Sequence, residues 1–280
     1  MRQKELRLAL ICYGGVSLAI YMHGITKEIW KVAQASRDFH DGLRVDQCSR
    51  GIYYDILQWL ERGNGTRLRV LPDIIAGASA GGINGIFLAQ AILSGQSLDP
   101  LTDLWLDTAD VDKLLDPDAR PLSRFSKFWA EPIAWMALGR KGGAVEQTVS
   151  KEAREEVKMK LSRFVRARWF APPGQPLDLF VTVTDFVGHP EKLQLHSPPE
   201  AFEMEHRITI GFSTRGKRGD EIADPASLTF AGRATASFPG AFPPFTVREL
   251  DELLADRDYV WEGRNAFLKR VLPSQFHAGT

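Results

Sequence analysis

An α/β layered fold with a mainly parallel sheet is the class that this sequence predicts. Two short apolar runs, Leu6–Cys12 and Val70–Ala76, each lead into a turn that contains glycine and then into a segment with helical apolar spacing. Alternation of strands and amphipathic helices is typical of layered α/β proteins with parallel sheets. The length of 280 residues and the 44% hydrophobic content allow one large domain with an ample core.

The first third of the chain predicts the order strand, helix, helix, strand, helix. Leu6–Cys12 is short and continuously apolar, as expected of a buried strand. The predicted first helix, over 16–32, places on its buried side Leu18, Ile20, Tyr21, Ile25 and Ile29. The predicted second helix, over 52–61, does the same with Ile52, Ile56, Leu57 and Leu60. Asn64-Gly65 is a turn signal before the strand over 67–76.

The later segments predict a further helix, two strands and a charged helical end. A helix over 151–169 has one apolar face and is expected to cover the sheet, with membrane-surface contact as the alternative. Strands are predicted at 177–184 and 207–212, a helix start at 231–237, and a charged helical stretch at 248–271. The aromatic-rich segment 100–143 favours core packing, with an apolar wall over an acyl-chain site as the alternative.

The segment Gly77-Ala78-Ser79-Ala80-Gly81 carries the clearest chemical signal. It joins a predicted strand to a predicted helix, which is the context that a nucleophile elbow requires. A tight turn of this kind needs small flanking residues and directs the serine hydroxyl out of the sheet edge, beside a helix N-terminus that favours an anionic intermediate. The alternative is a close-packed helix start in which Ser79 is an ordinary N-cap.

The amino-acid composition argues against a nucleic-acid-binding, a disulfide-rich or a metal-binding protein. Lys plus Arg and Asp plus Glu both number 35, so the net charge is zero and no basic block indicates nucleic-acid binding. The two cysteines, Cys12 and Cys48, are too few for a disulfide framework and lack metal-ligand spacing. We therefore expect no metal, a buried and inert Cys12, and a cytoplasmic protein that contacts membranes only peripherally.

Two more segments combine with the Ser79 turn. One is the loop Tyr13-Gly14-Gly15-Val16-Ser17 after the first strand, and the other is the sequence ATASFPGAFPPF over 234–245. In this order, the three segments resemble the patatin-like phospholipase family, over about residues 6–245. The resemblance implies a three-layer α/β/α fold in a single domain spanning 1–280, in which 246–280 are an insertion or an incomplete C-terminal part.

The resemblance also implies a mechanism. It assigns Ser79 as the nucleophile of a Ser-Asp dyad that cleaves lipid acyl esters without a cofactor. It implies an oxyanion hole made of backbone N–H groups of Gly14, Gly15 and Val16, because donors must lie about 3 Å from the developing charge and glycine permits that approach. The first helix, starting near Val16, would add the field of its N-terminus.

The sequence departs from the family pattern in two places. The family loop usually reads D-G-G-G-x-R/K-G, whereas this chain has Tyr13, Val16 and Leu18 at the first Asp, third Gly and basic positions. The dyad aspartate normally lies in D-G-G or D-G-A after the proline segment, and no such motif occurs after Phe245. We expect that Asp beyond residue 280, in which case residues 1–280 alone have little or no activity.

Two alternatives remain open. A triad in the order Ser, Asp, His of the α/β-hydrolases is available as Ser79, Asp185 and either His206 or His277. The absent aspartate and altered loop also suit a non-catalytic lipid-binding or scaffolding domain.

Overall fold

The computed structural model describes residues 2–15, 18–108, 174–215, 221–237, 244–255 and 259–276. The elements in chain order are β1 Arg2–Cys12, α1 Ala19–Asp41, α2 Ser49–Asn64, β2 Thr66–Ala78, α3 Ala80–Ser94, α4 Pro100–Thr108, β3 Leu177–Gln194, β4 Glu200–Thr214, α5 Pro225–Thr235, α6 Val247–Ala255, α7 Arg264–Val271 and α8 Pro273–Phe276. The predicted helix over 151–169 and the aromatic segment after Thr108 lie outside the described residues.

The described strands form one mixed sheet in the order β1-β2-β3-β4. β1 and β3 both run parallel to β2, and β4 runs antiparallel to β3. The mainly parallel α/β sheet is thus confirmed. Cys12 pairs with Gly77, so β1 and β2 end together at one edge of the sheet. The glycine loop and Ser79, which follow these two ends, therefore emerge side by side.

The main core lies between the sheet and α3. Residues 80–93 of this helix are all buried, which explains why its sequence is apolar on every side. Ile75, Leu179, Val181, Ile210 and Phe212 contribute the strand side of the same cluster.

The predicted inner face of α1 is wrong. Leu18, Ile20, Tyr21 and Ile25 are exposed, and Ile29 is the member of that set that packs partly against the core. The buried face carries Ala19, His23, Thr26, Trp30 and Ala33. This face is possible because its polar groups find partners in place: the Thr26 hydroxyl donates to the carbonyls of Met22 and His23 at 3.0 and 3.1 Å. The spacing of apolar residues cannot reveal buried polar residues whose hydrogen-bond partners lie in the same helix.

The predicted inner face of α2 is partly wrong for the same kind of reason. Leu57 is buried with Tyr54 against β2, whereas Ile52 and Ile56 are exposed. The burial of Tyr54 turns the helix so that the isoleucines face outward.

The third and fourth strands are longer than predicted. The expected 177–184 and 207–212 are the inner parts of a hairpin whose pairing continues to Gln194 and Glu200, with an irregularity between Thr184 and His189. The predicted helix start at 231–237 is instead the end of α5, a helix that begins at Pro225 and is capped by Asp224.

The predicted charged helical stretch over 248–271 contains the two helices α6 and α7. Phe267 of α7 stacks on Phe212 of β4 at 6.2 Å and meets Phe230 of α5 edge-on at 5.5 Å. The main core therefore includes Leu250 of α6 and Phe267, Leu268 and Val271 of α7.

Candidate functional site

Ser79 occupies a strained turn between β2 and α3. Its φ of 53° and ψ of −129° place a side-chain-bearing residue in a region that costs about 1–3 kcal/mol. Its side chain makes no capping hydrogen bond to α3, and the residue is half-buried. The ordinary N-cap alternative is therefore wrong, because a capping serine has extended dihedrals and bonds to the helix. The turn instead frees the hydroxyl.

The two glycines that flank Ser79 are required by backbone contacts. A Cβ on Gly77 would lie 2.5 Å from the carbonyl carbon and oxygen of Gly81. A Cβ on Gly81 would lie 2.1 Å from the carbonyl oxygen of Cys12. The turn therefore crosses directly over the end of β1, and only glycine fits at these two positions. Cys12 itself is buried, as predicted, and its burial raises the pKa of its thiol.

The glycine loop lies against Ser79. A Cβ on Gly14 would be 2.7 Å from the Ser79 Cβ and 2.9 Å from the carbonyl oxygen of Ala78. The backbone at Gly14 thus lies directly against Ser79, with no room for a side chain between them. The carbonyl of Gly15 accepts a hydrogen bond from the Leu18 N–H at 3.1 Å, just before α1 begins at Ala19. Val16, the third predicted donor, lies outside the described residues.

Thr235 is a contact of the serine that sequence reasoning missed. The Ser79 N–H donates to the Thr235 hydroxyl at 2.7 Å, and that hydroxyl donates to the carbonyl of Thr182 at 2.7 Å. The hydroxyl thus joins the Ser79 turn to the end of α5 and to β3. Thr235 lies in the ATASFPGAFPPF segment, so the available signal was a hydroxyl residue between two alanines at the start of that segment.

This contact bears on the oxyanion hole. The Ser79 N–H already has an acceptor, so the amide of the serine is engaged away from any substrate. Donors for an oxyanion must then come from other backbone groups near the hydroxyl. The Gly14 backbone is the segment placed against it from outside the turn.

Asn84 ties the two helix starts together. It is fully buried in α3, and its Nδ2 donates to the carbonyls of Ala19 and Ala80 at 3.1 and 3.0 Å. The first turns of α1 and α3 are thereby held in register. The N-termini of both helices follow the loop and the turn that meet at the site, and their dipoles favour negative charge there.

The α/β-hydrolase triad does not assemble at Asp185 and His206. Asp185 lies inside β3 rather than after it, and its Oδ1 accepts from the Val187 N–H at 3.1 Å. His206 Nδ1 donates to the backbone carbonyl of Asp185 at 2.8 Å. In a triad this Nδ1–H donates to a carboxylate oxygen of the aspartate rather than to a backbone carbonyl. His277 lies outside the described residues.

Trp105, at the start of the aromatic-rich segment, is buried in the main core. Its burial supports core packing for this part of the segment. Among the described residues, no group of three or more His, Cys, Asp and Glu side chains is placed to hold a metal ion. No described helix combines the length and the apolar character needed to cross a bilayer.

The fold and the Ser79 turn together define an α/β protein that presents a strained serine at the carboxyl edge of its sheet, under a glycine loop. The family model of the patatin-like phospholipases matches residues 10–260, which is most of the chain. The chain belongs to the patatin-like phospholipase family.

One relative comes from Mycobacterium tuberculosis and is named an uncharacterized membrane protein. It is 29% identical over 251 residues, and the alignment covers 86% of this chain and 21% of the relative. The chain therefore spans about a fifth of the length of the relative it matches. No solved structure matches it significantly.

Proposed function

We propose that this domain is a serine acyl hydrolase that cleaves acyl esters of lipids, with Ser79 as the nucleophile. The observation that carries the proposal is the strained, uncapped Ser79 packed against Gly14. Strain of this kind persists where the surrounding contacts fix it, and it clusters at sites of chemistry. Family membership supplies the substrate class, since patatin-like phospholipases act on lipids.

In the proposed reaction, the Ser79 hydroxyl attacks the ester carbonyl and its proton passes to an aspartate base. The developing oxyanion accepts hydrogen bonds from the backbone amides of Gly14, Gly15 and Val16. Collapse of the tetrahedral intermediate expels the alcohol, which takes up the proton, and leaves an acyl-serine ester that water hydrolyses to release the fatty acid.

The base is proposed to lie beyond residue 280. No Asp-Gly-Gly or Asp-Gly-Ala motif follows the proline segment in residues 245–280, and Asp185 is held on the β3–β4 hairpin with its backbone carbonyl bonded to His206. Without a base, Ser79 is a weak nucleophile at neutral pH.

The test is labelling with a fluorophosphonate probe, which forms a covalent bond with an activated serine. Three proteins are compared: residues 1–280, a longer chain that continues past Thr280, and the longer chain with Ser79→Ala. Labelling of the longer chain alone, abolished by Ser79→Ala, is the expected result. Equal labelling of the shorter chain would place the base within residues 1–280. No labelling of either would favour a non-catalytic lipid-binding domain.

Gly14→Ala tests the oxyanion assignment in the same assay. The added methyl group would collide with the Ser79 Cβ and the Ala78 carbonyl, so the loop must withdraw. Loss of one oxyanion donor costs about a hundredfold or more in rate. Labelling of Gly14→Ala at the parent rate would contradict the role of this loop.

A further inference from the structure

The β3–β4 hairpin extends well past the edge of the sheet that carries Ser79. β2 ends at Ala78, which pairs with Thr182, and β3 then continues to Gln194 in the same direction. If fully extended, residues 183–194 would span about 40 Å, and the irregularity between Thr184 and His189 shortens this length. We call residues 185–205, with the turn that they contain, the arm.

The arm exposes several large apolar side chains. Phe186 is 91% exposed and Phe202 is 74% exposed, and Val187 and Met204 are also largely exposed. Isolated exposed apolar residues are ordinary, but a group of them on one projecting element indicates an interaction surface.

The pairing register makes the outer arm amphipathic. Met204 lies opposite Pro190 and Phe202 lies opposite Lys192, and directly opposed residues share a face of the hairpin. Lys192 reaches along this face to Glu200, at 2.6 Å, which neutralises its charge. One face of the arm therefore combines apolar side chains with Gln194 and the Lys192–Glu200 ion pair, and it has no net charge.

The other face of the arm is acidic. Glu191 lies directly opposite Glu203, and Glu205, which lies opposite His189, forms an ion pair with Arg207 at 2.9 Å, so Glu191 and Glu203 carry the excess charge. Opposed like charges on a strand pair are unfavourable unless water solvates them. This face must stay in water and is repelled by an anionic surface. An element with one apolar and one acidic face suits the boundary between water and a lipid layer without net charge.

We propose that the arm docks on a zwitterionic lipid surface through Phe202, Met204 and the Phe186–Val187 segment. Docking brings the edge with Ser79 to the layer that contains its acyl esters. The purpose of docking rests on the proposed function, whereas binding itself does not require catalysis. A lipid surface is favoured over a protein partner because the arm extends from the same sheet edge that carries Ser79, the proposed nucleophile for lipid esters.

The experiment measures sedimentation of the protein with phosphatidylcholine vesicles, using the Ser79→Ala protein so that hydrolysis cannot alter the lipid. The double variant Phe186→Ser/Phe202→Ser is compared with Trp59→Ser. Trp59 is 69% exposed on α2, near the start of β2, at the opposite edge of the sheet. We expect about tenfold weaker vesicle binding for the double variant, and no change for Trp59→Ser.

The acidic face supplies a second comparison. Glu191→Gln/Glu203→Gln should leave binding to phosphatidylcholine unchanged and should increase binding to vesicles that contain an anionic lipid. Equal binding by the parent and the double phenylalanine variant overturns the proposal. The proposal is also overturned if the parent does not bind the vesicles, or if Trp59→Ser loses as much vesicle binding as the double variant. Light scattering that shows a dimer for the parent and a monomer for the double variant would overturn it as well.

A fluorophore gives a measurement that does not depend on weakening the arm. Phe202→Cys in a Cys48→Ser background carries an environment-sensitive dye at the apolar face, away from the buried Cys12. A blue shift on addition of phosphatidylcholine vesicles is expected, and an unchanged spectrum overturns the proposal. Failure of fluorophosphonate labelling with intact vesicle binding would reject the hydrolase function and leave the docking surface standing.

Discussion

Replacement of Thr235 by valine should weaken the site by removing the hydroxyl that connects three parts of the chain. Valine keeps the shape of threonine, but it can neither accept from the Ser79 N–H nor donate to the Thr182 carbonyl, each now bonded at 2.7 Å. The Ser79 turn would then lose its bond to α5 while keeping its strained dihedrals.

The magnitude follows from the surroundings of the two bonds. The Ser79 N–H is part-buried, and an unsatisfied buried donor costs about 1–3 kcal/mol. The bond to the Thr182 carbonyl is exposed, so water can replace it at little cost. We therefore expect a loss of about 1–2 kcal/mol in the free energy of unfolding. If about 1.4 kcal/mol of this reaches the transition state, labelling slows about tenfold.

Two measurements check this prediction. Urea unfolding of residues 1–280 gives the stability change, and the rate of fluorophosphonate labelling in the chain that continues past Thr280 gives the effect on Ser79. Thr235→Ser should restore the labelling rate, because it returns the hydroxyl without the methyl group. Thr26→Val is the matched control, since its hydroxyl bonds to carbonyls of its own helix, and its labelling rate should not change.

Two results would contradict this role of Thr235: labelling of Thr235→Val at the parent rate, or labelling of Thr235→Ser that is as slow as that of Thr235→Val. The first result would mean that the hydroxyl does not position Ser79. The second would mean that packing of the methyl group, rather than the hydrogen bonds, holds the turn.

Two further predictions concern stability. Gly81→Ala should lower the free energy of unfolding in urea by roughly 3 kcal/mol or more, because its Cβ would meet the Cys12 carbonyl. Gly24→Ala, which has open space around it in α1, should raise that free energy by about 0.5–1 kcal/mol. Similar values for the two variants would contradict the close crossing of the Ser79 turn over β1. Burial, aided by Lys27, lowers the pKa of His23 to about 4 from 6.5. Its neutral ring therefore contributes about 3 kcal/mol of stability above pH 6.5, which is lost as pH falls from 6.5 towards 4. His23→Gln should flatten the curve of unfolding free energy against pH in that window, and an unchanged slope would count against this assignment.

Much of the site followed from local patterns. The small residues on both sides of Ser79 predicted a tight strand-to-helix turn, and the structure shows backbone contacts that exclude any larger residue at Gly77 and Gly81. The two apolar runs predicted parallel strands, and their register brings the glycine loop to the serine. The turn and the two strands are local patterns, which is why residue type and spacing suffice to predict them, whereas the contacts of Gly81 with Cys12 and of Gly14 with Ser79 join distant segments.

Other features depended on contacts between distant segments. Ser79 and Thr235 are 156 residues apart, and no periodicity links a hydroxyl to an amide over that distance. The buried face of α1 carries His23 and Thr26 because each has a hydrogen-bond partner there, although apolar spacing favoured the opposite face. The long arm arises because β4 continues to pair with β3 where β2 has ended.

Residue type and spacing therefore predicted the α/β class, the turn at Ser79 and the glycine loop, since small residues at a turn and apolar spacing within an element are local patterns. The packing of the whole chain fixes which hydroxyl holds the Ser79 amide, which side of α1 faces inward and how far the arm projects. Those outcomes depend on hydrogen-bond partners and strand ends that come together only when the whole chain packs.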